Sequence, residues 1–267
     1  MISTPHFTFD DGLTHGLVGP NGIGKTTLLR KIAGQLGGSG IKVDGDKPYD
    51  NEKVLNKVVL MGIDNPLPEG WNVKKVFTVA GLRWPSWDQN RAEELVERFE
   101  LPMKNYSGLS RGQKSAASFI VAVASGVPYM LLDEPYLGLD AAKREVFYDV
   151  LREEHGRTII VSTHHLNELS GLLDTVALMG ENPLSGPIDE FIEGVVQLTG
   201  PAEALDRALG RLQLPVLERE SSAVADRALV DARPNHTANV FDMAQEMGLR
   251  ATEVSLEQAV LALGETR

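Results

Sequence analysis

Residues 19–27 read Gly19-Pro20-Asn21-Gly22-Ile23-Gly24-Lys25-Thr26-Thr27 and carry the spacing G-x-x-x-x-G-K-[ST]. Glycines at that spacing let successive backbone N–H groups converge on phosphate oxygens, and a helix opening at the lysine adds the positive end of its dipole. An ammonium at Lys25 can reach the β- and γ-phosphates of a nucleotide, and the Thr26 hydroxyl can ligate Mg2+. A second group, Tyr129-Met130-Leu131-Leu132-Asp133-Glu134, is an apolar run ending in two acids. As a strand of the same sheet it would bring both carboxylates to the edge where the phosphate loop lies. Asp133 would then help hold Mg2+, and Glu134 would polarise an attacking water. A third, Leu109-Ser110-Arg111-Gly112-Gln113, combines a hydroxyl, a glycine amide and a helix start, which together can cradle a second anion. The same residues also read as plain capping, because Ser110-x-x-Gln113 has the form of a capping box.

Elements must hold these groups in place, and the first half alternates β-like and helical patterns, as a largely parallel sheet with covering helices does. Thr14–Val18, Val58–Ile63, Tyr129–Leu132 and Thr158–Ser162 read as strands. Helices are expected over Lys25–Gln35, Val73–Leu82, Gln89–Phe99 (with Ser86 or Asp88 as N-cap) and Ser110–Ser125, the last ended by Gly126 and Pro128. Composition shifts near the Pro/Gly-rich stretch 182–187, which places a domain boundary between residues 190 and 195. Beyond it the order strand Val195–Thr199, helix from Pro201, strands Pro215–Leu217 and Ala223–Val230, helix Ala238–Met247, strand Leu249–Val254 is β-α-β-β-α-β, a ferredoxin-like order. Ser255-x-x-Gln258 caps a final helix.

Apolar residues make up 42% of the 267 residues and charged residues 24%, an ordinary globular balance. The formal net charge of −11 disfavours a nucleic-acid binder working through a basic face and a polybasic membrane anchor. With no Cys, disulfides, thiolate metal sites and a cysteine nucleophile are excluded. The start lacks a secretory pattern, and the most apolar run, Phe119–Leu132, is about 14 residues long where a membrane span needs about 20. A soluble, intracellular chain is the expectation.

Taken together, the motifs resemble those of the ATP-binding cassette (ABC) ATPases, in the right order over residues 1–190. The family's Leu-Ser-Gly-Gly-Gln signature is matched by Leu109–Gln113, with Arg111 at the first signature glycine. Tyr136-Leu137-Gly138-Leu139-Asp140 corresponds to the family's dimer-interface loop ending in Asp, and Ser162-Thr163-His164 to its switch histidine. The resemblance implies a phosphate-loop NTPase core of mixed, mainly parallel α/β type with a helical subdomain over residues 66–125, followed by the small α+β unit 195–267. It implies ATP and Mg2+ as ligands, Gly19–Thr27 as the nucleotide-binding segment, Thr26 and Asp133 on Mg2+, and Glu134, His164 and Lys25 as catalytic residues. Ser110, Arg111, Gly112 and Gln113 would contact the ATP of a neighbouring subunit. The implied assembly is a homodimer or heterodimer sandwiching two ATP, docked on separate transmembrane permease subunits at the cytoplasmic face of the cell membrane. More weakly, the C-terminal segment looks like the tail of bacterial exporter-type subunits. His165 reads as an ordinary loop histidine.

The sequence departs from the family in two places. Most members carry a Gln after the strand matching Val58–Gly62; here Met61-Gly62-Ile63-Asp64-Asn65-Pro66 has none, and Asp64 or Asn65 would take over its Mg2+ or water contact. Only 18 residues precede Gly19, so the family's extra strand pair with its adenine-stacking aromatic is expected to be missing, Phe7 and Phe9 being strand core. ATP would then be held mainly by its phosphates, with weak discrimination against GTP. The region 66–99, with exposed-looking Trp71, Trp84 and Trp87, is the expected docking surface for membrane subunits, the other reading being that these Trp are packed core. Two other readings remain: a degenerate cassette that clamps on ATP with little hydrolysis, and a non-transport ABC ATPase. The latter usually carries a long coiled coil, and no sustained heptads occur between Gly24 and Leu109.

Overall fold

A computed structural model describes residues 1–62, 67–222, 224–233 and 237–265. The chain divides into two compact units, one of residues 1–164 and 171–177, the other of 165–170 and the chain from Leu178 onward.

The first unit is built on parallel strands β3 (Thr14–Val18), β5 (Val58–Gly62), β6 (Tyr129–Asp133) and β7 (Thr158–Ser162), joined by β8 (Thr175–Leu178), in the order β5-β6-β7-β3-β8. All five residues of β6 and of β7 are buried, as expected of central strands covered on both faces. Register is what matters for the site. Gly62 pairs with Asp133 and Asp133 with Ser162, while Leu17 pairs with Ser162, so four strands end side by side. Strands β1 (Ile2–Ser3), β2 (Thr8–Phe9) and β4 (Lys42–Val43) form a small antiparallel sheet. An antiparallel strand pair therefore does precede the phosphate loop, contrary to the expectation from the short start; two-residue strands are too brief to leave a periodic signal. Phe7 and Phe9 are both buried in it.

Helices α1 (Lys25–Ile32), α2 (Glu52–Leu55), α3 (Val73–Arg83), α4 (Gln89–Phe99), α5 (Arg111–Ala124) and α6 (Ala141–Glu153) connect these strands. Side-chain caps fix several starts: Asn72 Oδ1 accepts from Lys75 N at 2.8 Å, Asp88 Oδ1 from Arg91 N at 3.0 Å, and Asp140 Oδ1 from Lys143 N at 2.9 Å. Helix α5 is buried from Ser115 to Ala124. Its C-terminal end is held by the partly buried Arg157, which donates to the carbonyls of Ala122 (3.0 Å), Val123 (3.0 Å) and Val127 (2.8 Å), a cation where the helix dipole is negative. Trp71, Trp84 and Trp87 are half-buried rather than exposed. Trp87 packs on Phe77 with ring centroids 5.7 Å apart, and Lys75 Nζ lies 4.7 Å from the centroid of Trp71.

In the second unit, α7 (Leu166–Leu169), β9 (Leu184–Pro187) and α8 (Ile188–Ile192) lead into β10 (Val195–Gly200), α9 (Ala202–Leu212), β11 (Val216–Glu220), β12 (Asp226–Asp231), α10 (Thr237–Glu246), β13 (Arg250–Glu253) and α11 (Leu256–Glu265). The antiparallel order β11-β12-β10-β13 places the first and third strands of the β-α-β-β-α-β repeat in the middle, which is the ferredoxin-like arrangement. Val196, Leu198 and Val230 from the sheet bury against Leu205, Ala208 and Leu212 of α9 and Val240 and Ala244 of α10.

Candidate nucleotide site

The phosphate loop follows directly from β3. It ends on Gly24, the N-cap of α1, in the left-handed region (φ 108°), where an L side chain would be strained. No side chain caps this helix. Its hydrogen-bond ladder begins with Leu28 N donating to Gly24 O at 2.8 Å, so the helix itself makes no use of the N–H groups of Lys25, Thr26 and Thr27. Lys25 is only 8% exposed. Its ammonium donates to the loop carbonyls of Gly19 (2.7 Å) and Pro20 (3.3 Å), and no ion pair to it occurs among the described residues. A buried cation satisfied by carbonyls, beside unused N–H donors, is a cradle suited to a polyphosphate.

Across the sheet edge, Asp133 ends β6 and is 5% exposed; the Ser162 hydroxyl donates to its Oδ1 at 2.5 Å. One carboxylate and the Thr26 hydroxyl, completed by phosphate oxygens and water, is the donor set Mg2+ favours over an all-protein cage. No group of three or more His, Asp or Glu suited to a metal occurs among the described residues.

Glu134 sits at φ 47°, a left-handed conformation that costs a non-glycine residue about 1–2 kcal/mol. Its backbone N–H donates to Ser162 Oγ (3.1 Å) and Ser162 O (3.3 Å), which holds the turn. That turn aims the side chain at His164, whose Nδ1 lies 2.8 Å from Glu134 Oε2. Tyr136, buried and packed on Phe147, brings its hydroxyl to Thr163 Oγ1 and to Glu134 Oε2 (3.5 Å). Sequence reasoning gave Tyr136, Ser162 and Thr163 no chemical role, although hydroxyls beside a pair of carboxylates are the groups that could have been suspected.

The signature segment is brought to the loop 135–140. Ser110 and Gln113 form a reciprocal capping box, Ser110 Oγ accepting from Gln113 N (3.3 Å) and Gln113 Oε1 from Ser110 N (3.0 Å). A Cβ on Gly112 would stand 2.2 Å from Gly138 O, so the two backbones touch there and only glycine fits. Ser115 Oγ donates to Leu137 O at 2.7 Å. Arg111 is exposed, Gln113 half-buried, and Asp140 is the N-cap of α6. His165 precedes α7 in the second unit. Asp64 and Asn65 lie outside the described residues.

Comparison with known proteins gives this geometry a family. The chain is 29% identical over 231 residues to the ABC transporter ATP-binding protein YtrB of Bacillus subtilis, covering 82% of this chain and 78% of the relative. It is 30% identical to the daunorubicin/doxorubicin resistance ATP-binding protein DrrA of Streptomyces peucetius, over 82% of this chain and 66% of that one. The fold is shared with a dimeric post-hydrolysis ATP-binding cassette, MJ0796, bound to ADP and Pi (TM-score 0.57, 20% identity, 69% of this chain and 98% of that one). The ABC transporter family model matches residues 2–137, from the first strand through both the phosphate loop and the carboxylates. The chain belongs to the ABC transporter family, as an ATPase subunit.

Proposed function

We propose that this chain is the ATP-hydrolysing subunit of an ABC exporter, working as a dimer that closes around two ATP and drives separate membrane subunits. Residues 1–190 act as the cassette and 195–267 as an accessory unit. The observation that carries this reading is the convergence on one sheet edge of a bare helix N-terminus, a buried ammonium at Lys25 and the Glu134–His164 pair. The amides of residues 19–27 and the Lys25 ammonium grip the triphosphate and neutralise charge developing on the β–γ bridge. Thr26 and Asp133 hold Mg2+, which supplies Lewis-acid neutralisation of the phosphate oxygens when bound. Glu134 takes a proton from the attacking water, and His164 leaves its carboxylate to contact the γ-phosphate. Adenine makes little contact, so GTP competes with ATP.

The signature Ser110, with Arg111, Gly112 and Gln113, serves the nucleotide of the opposite subunit, and Asp140 lies at the dimer interface. Because Gly112 touches Gly138, closure on the neighbour's phosphate is felt by the loop that begins at Glu134. The helical region 66–99 docks on the membrane subunits; it exposes Leu82 (83% exposed). No helix among the described residues is long and apolar enough to cross a membrane. One relative's name supports an efflux role: DrrA is named for daunorubicin/doxorubicin resistance.

Glu134→Gln tests the reading. The variant should bind ATP, release phosphate at least about tenfold more slowly and accumulate as an ATP-bound dimer in light scattering. Unchanged turnover would remove Glu134 from the role of base.

A further inference from the structure

Glu134 is followed by Pro135 and then by a tyrosine whose ring is 2% exposed. Phe147 fixes that ring from one side (centroids 6.1 Å apart), and Phe147 is in turn packed on Phe119 of the signature helix α5 (4.5 Å). A buried phenol must place its hydroxyl against polar partners. Here the partners are Thr163 Oγ1, itself 1% exposed and adjacent in sequence to His164, and Glu134 Oε2 at 3.5 Å. The same oxygen, Oε2, also receives His164 Nδ1 at 2.8 Å. One phenol therefore touches both the carboxylate and the residue that carries the histidine.

We propose that Tyr136 is a positioning residue for ATP hydrolysis, its hydroxyl holding the Glu134 carboxylate and the Thr163–His164 segment in a common orientation. This rests on the reading of Glu134 as the base. When His164 turns to the γ-phosphate, Oε2 loses one of its two hydrogen-bonding neighbours. Tyr136 remains as the donor that keeps the freed carboxylate from swinging about its side-chain torsions, its one proton directed to Oε2 while the Thr163 hydroxyl donates to the phenol oxygen. The left-handed backbone of Glu134 sets where the side chain leaves the strand; Tyr136 sets where its end points. Because the ring also rests on the Phe147–Phe119 stack, a movement of α5 reaches the carboxylate through a rigid aromatic contact.

Tyr136→Phe keeps the ring and removes only the hydroxyl. With sites counted by bound ATP, kcat should fall about tenfold while KM for ATP stays the same, since the lost contact acts in the transition state and not on substrate binding. Thr163→Val, which removes the other anchor of the phenol, should reproduce that split and carries the test should Tyr136→Phe fold poorly. In a Glu134→Gln background, adding Tyr136→Phe should lower the residual rate by a smaller factor than it lowers the unsubstituted enzyme's rate, since only the hold on Thr163–His164 is left to lose. An unaltered kcat in both single variants, a rise in KM that accounts for the whole loss, or a drop on top of Glu134→Gln as large as in the unsubstituted enzyme would overturn the proposal. Full turnover in Glu134→Gln alone would instead overturn the assignment of the base, so the two failures are distinct.

Discussion

Helix α1 and helix α5 both start at a motif, yet α1 starts on a left-handed glycine with no side-chain cap, whereas α5 starts inside a closed capping box. Both ends carry the positive pole of a helix dipole. At α1 the first amides are left unused by the helix and a buried ammonium sits behind them, so the site is ready for an anion before any arrives. At α5 the Ser110 hydroxyl and the Gln113 side chain satisfy each other's backbone amides. The difference suits a division of labour in which α1 holds its own nucleotide in the monomer and the dimer alike, and α5 meets a neighbour's phosphate only on closure. Gly112 then has a job of its own, since its lack of a side chain is what lets α5 touch the 137–139 loop.

The contrast makes graded predictions. The largest effect belongs to α1: Lys25→Ala should weaken nucleotide binding about hundredfold, as expected for removing a charge-assisted contact, with the fold intact by circular dichroism. Fluorescent-nucleotide titration reads it, and near-normal affinity would show that the bare helix end suffices without the ammonium. Next comes Gly112→Ala, whose methyl overlaps Gly138 O and should cost about 1–3 kcal/mol of stability by forcing the loop away. Hydrolysis should drop more than monomer nucleotide binding does; equal losses in both would mean that the contact is merely structural. The smallest is Ser110→Ala, which should cost about 1 kcal/mol of stability from the lost cap, measured by denaturant melting without nucleotide. It should leave binding to the isolated subunit untouched while lowering turnover in the dimer.

Much of this was legible from residue types because helix starts and strand ends announce themselves locally. Asp88 and Ser110 sit where the caps are, and Tyr129–Glu134 ends its strand at the acids. The ferredoxin-like order could be read from the succession of short β-like and helical runs beyond residue 195, which the elements follow. Other features had no local signature. Helix α6 begins at Ala141 and is capped by Asp140, a role that the position of Asp140 at the end of the 136–140 motif does not announce. Strands β1, β2 and β4 are two residues each, so only tertiary pairing defines them. The three tryptophans are half-buried, Trp87 against the Phe77 ring, Trp71 under Lys75 and Trp84 under Arg83, contacts that composition does not disclose. In the site, the Glu134–His164 contact depends on an unusual backbone angle and on two strand ends brought level by register, neither of which a motif encodes.

The division of labour between the two helix starts is tested most directly by hydrogen–deuterium exchange on Glu134→Gln with Mg-ATP over a range of protein concentrations. Amides of residues 22–28 should be protected at every concentration, and those of residues 110–113 only where light scattering shows a dimer. Protection of residues 110–113 in the monomer, or none at residues 22–28, would contradict the account.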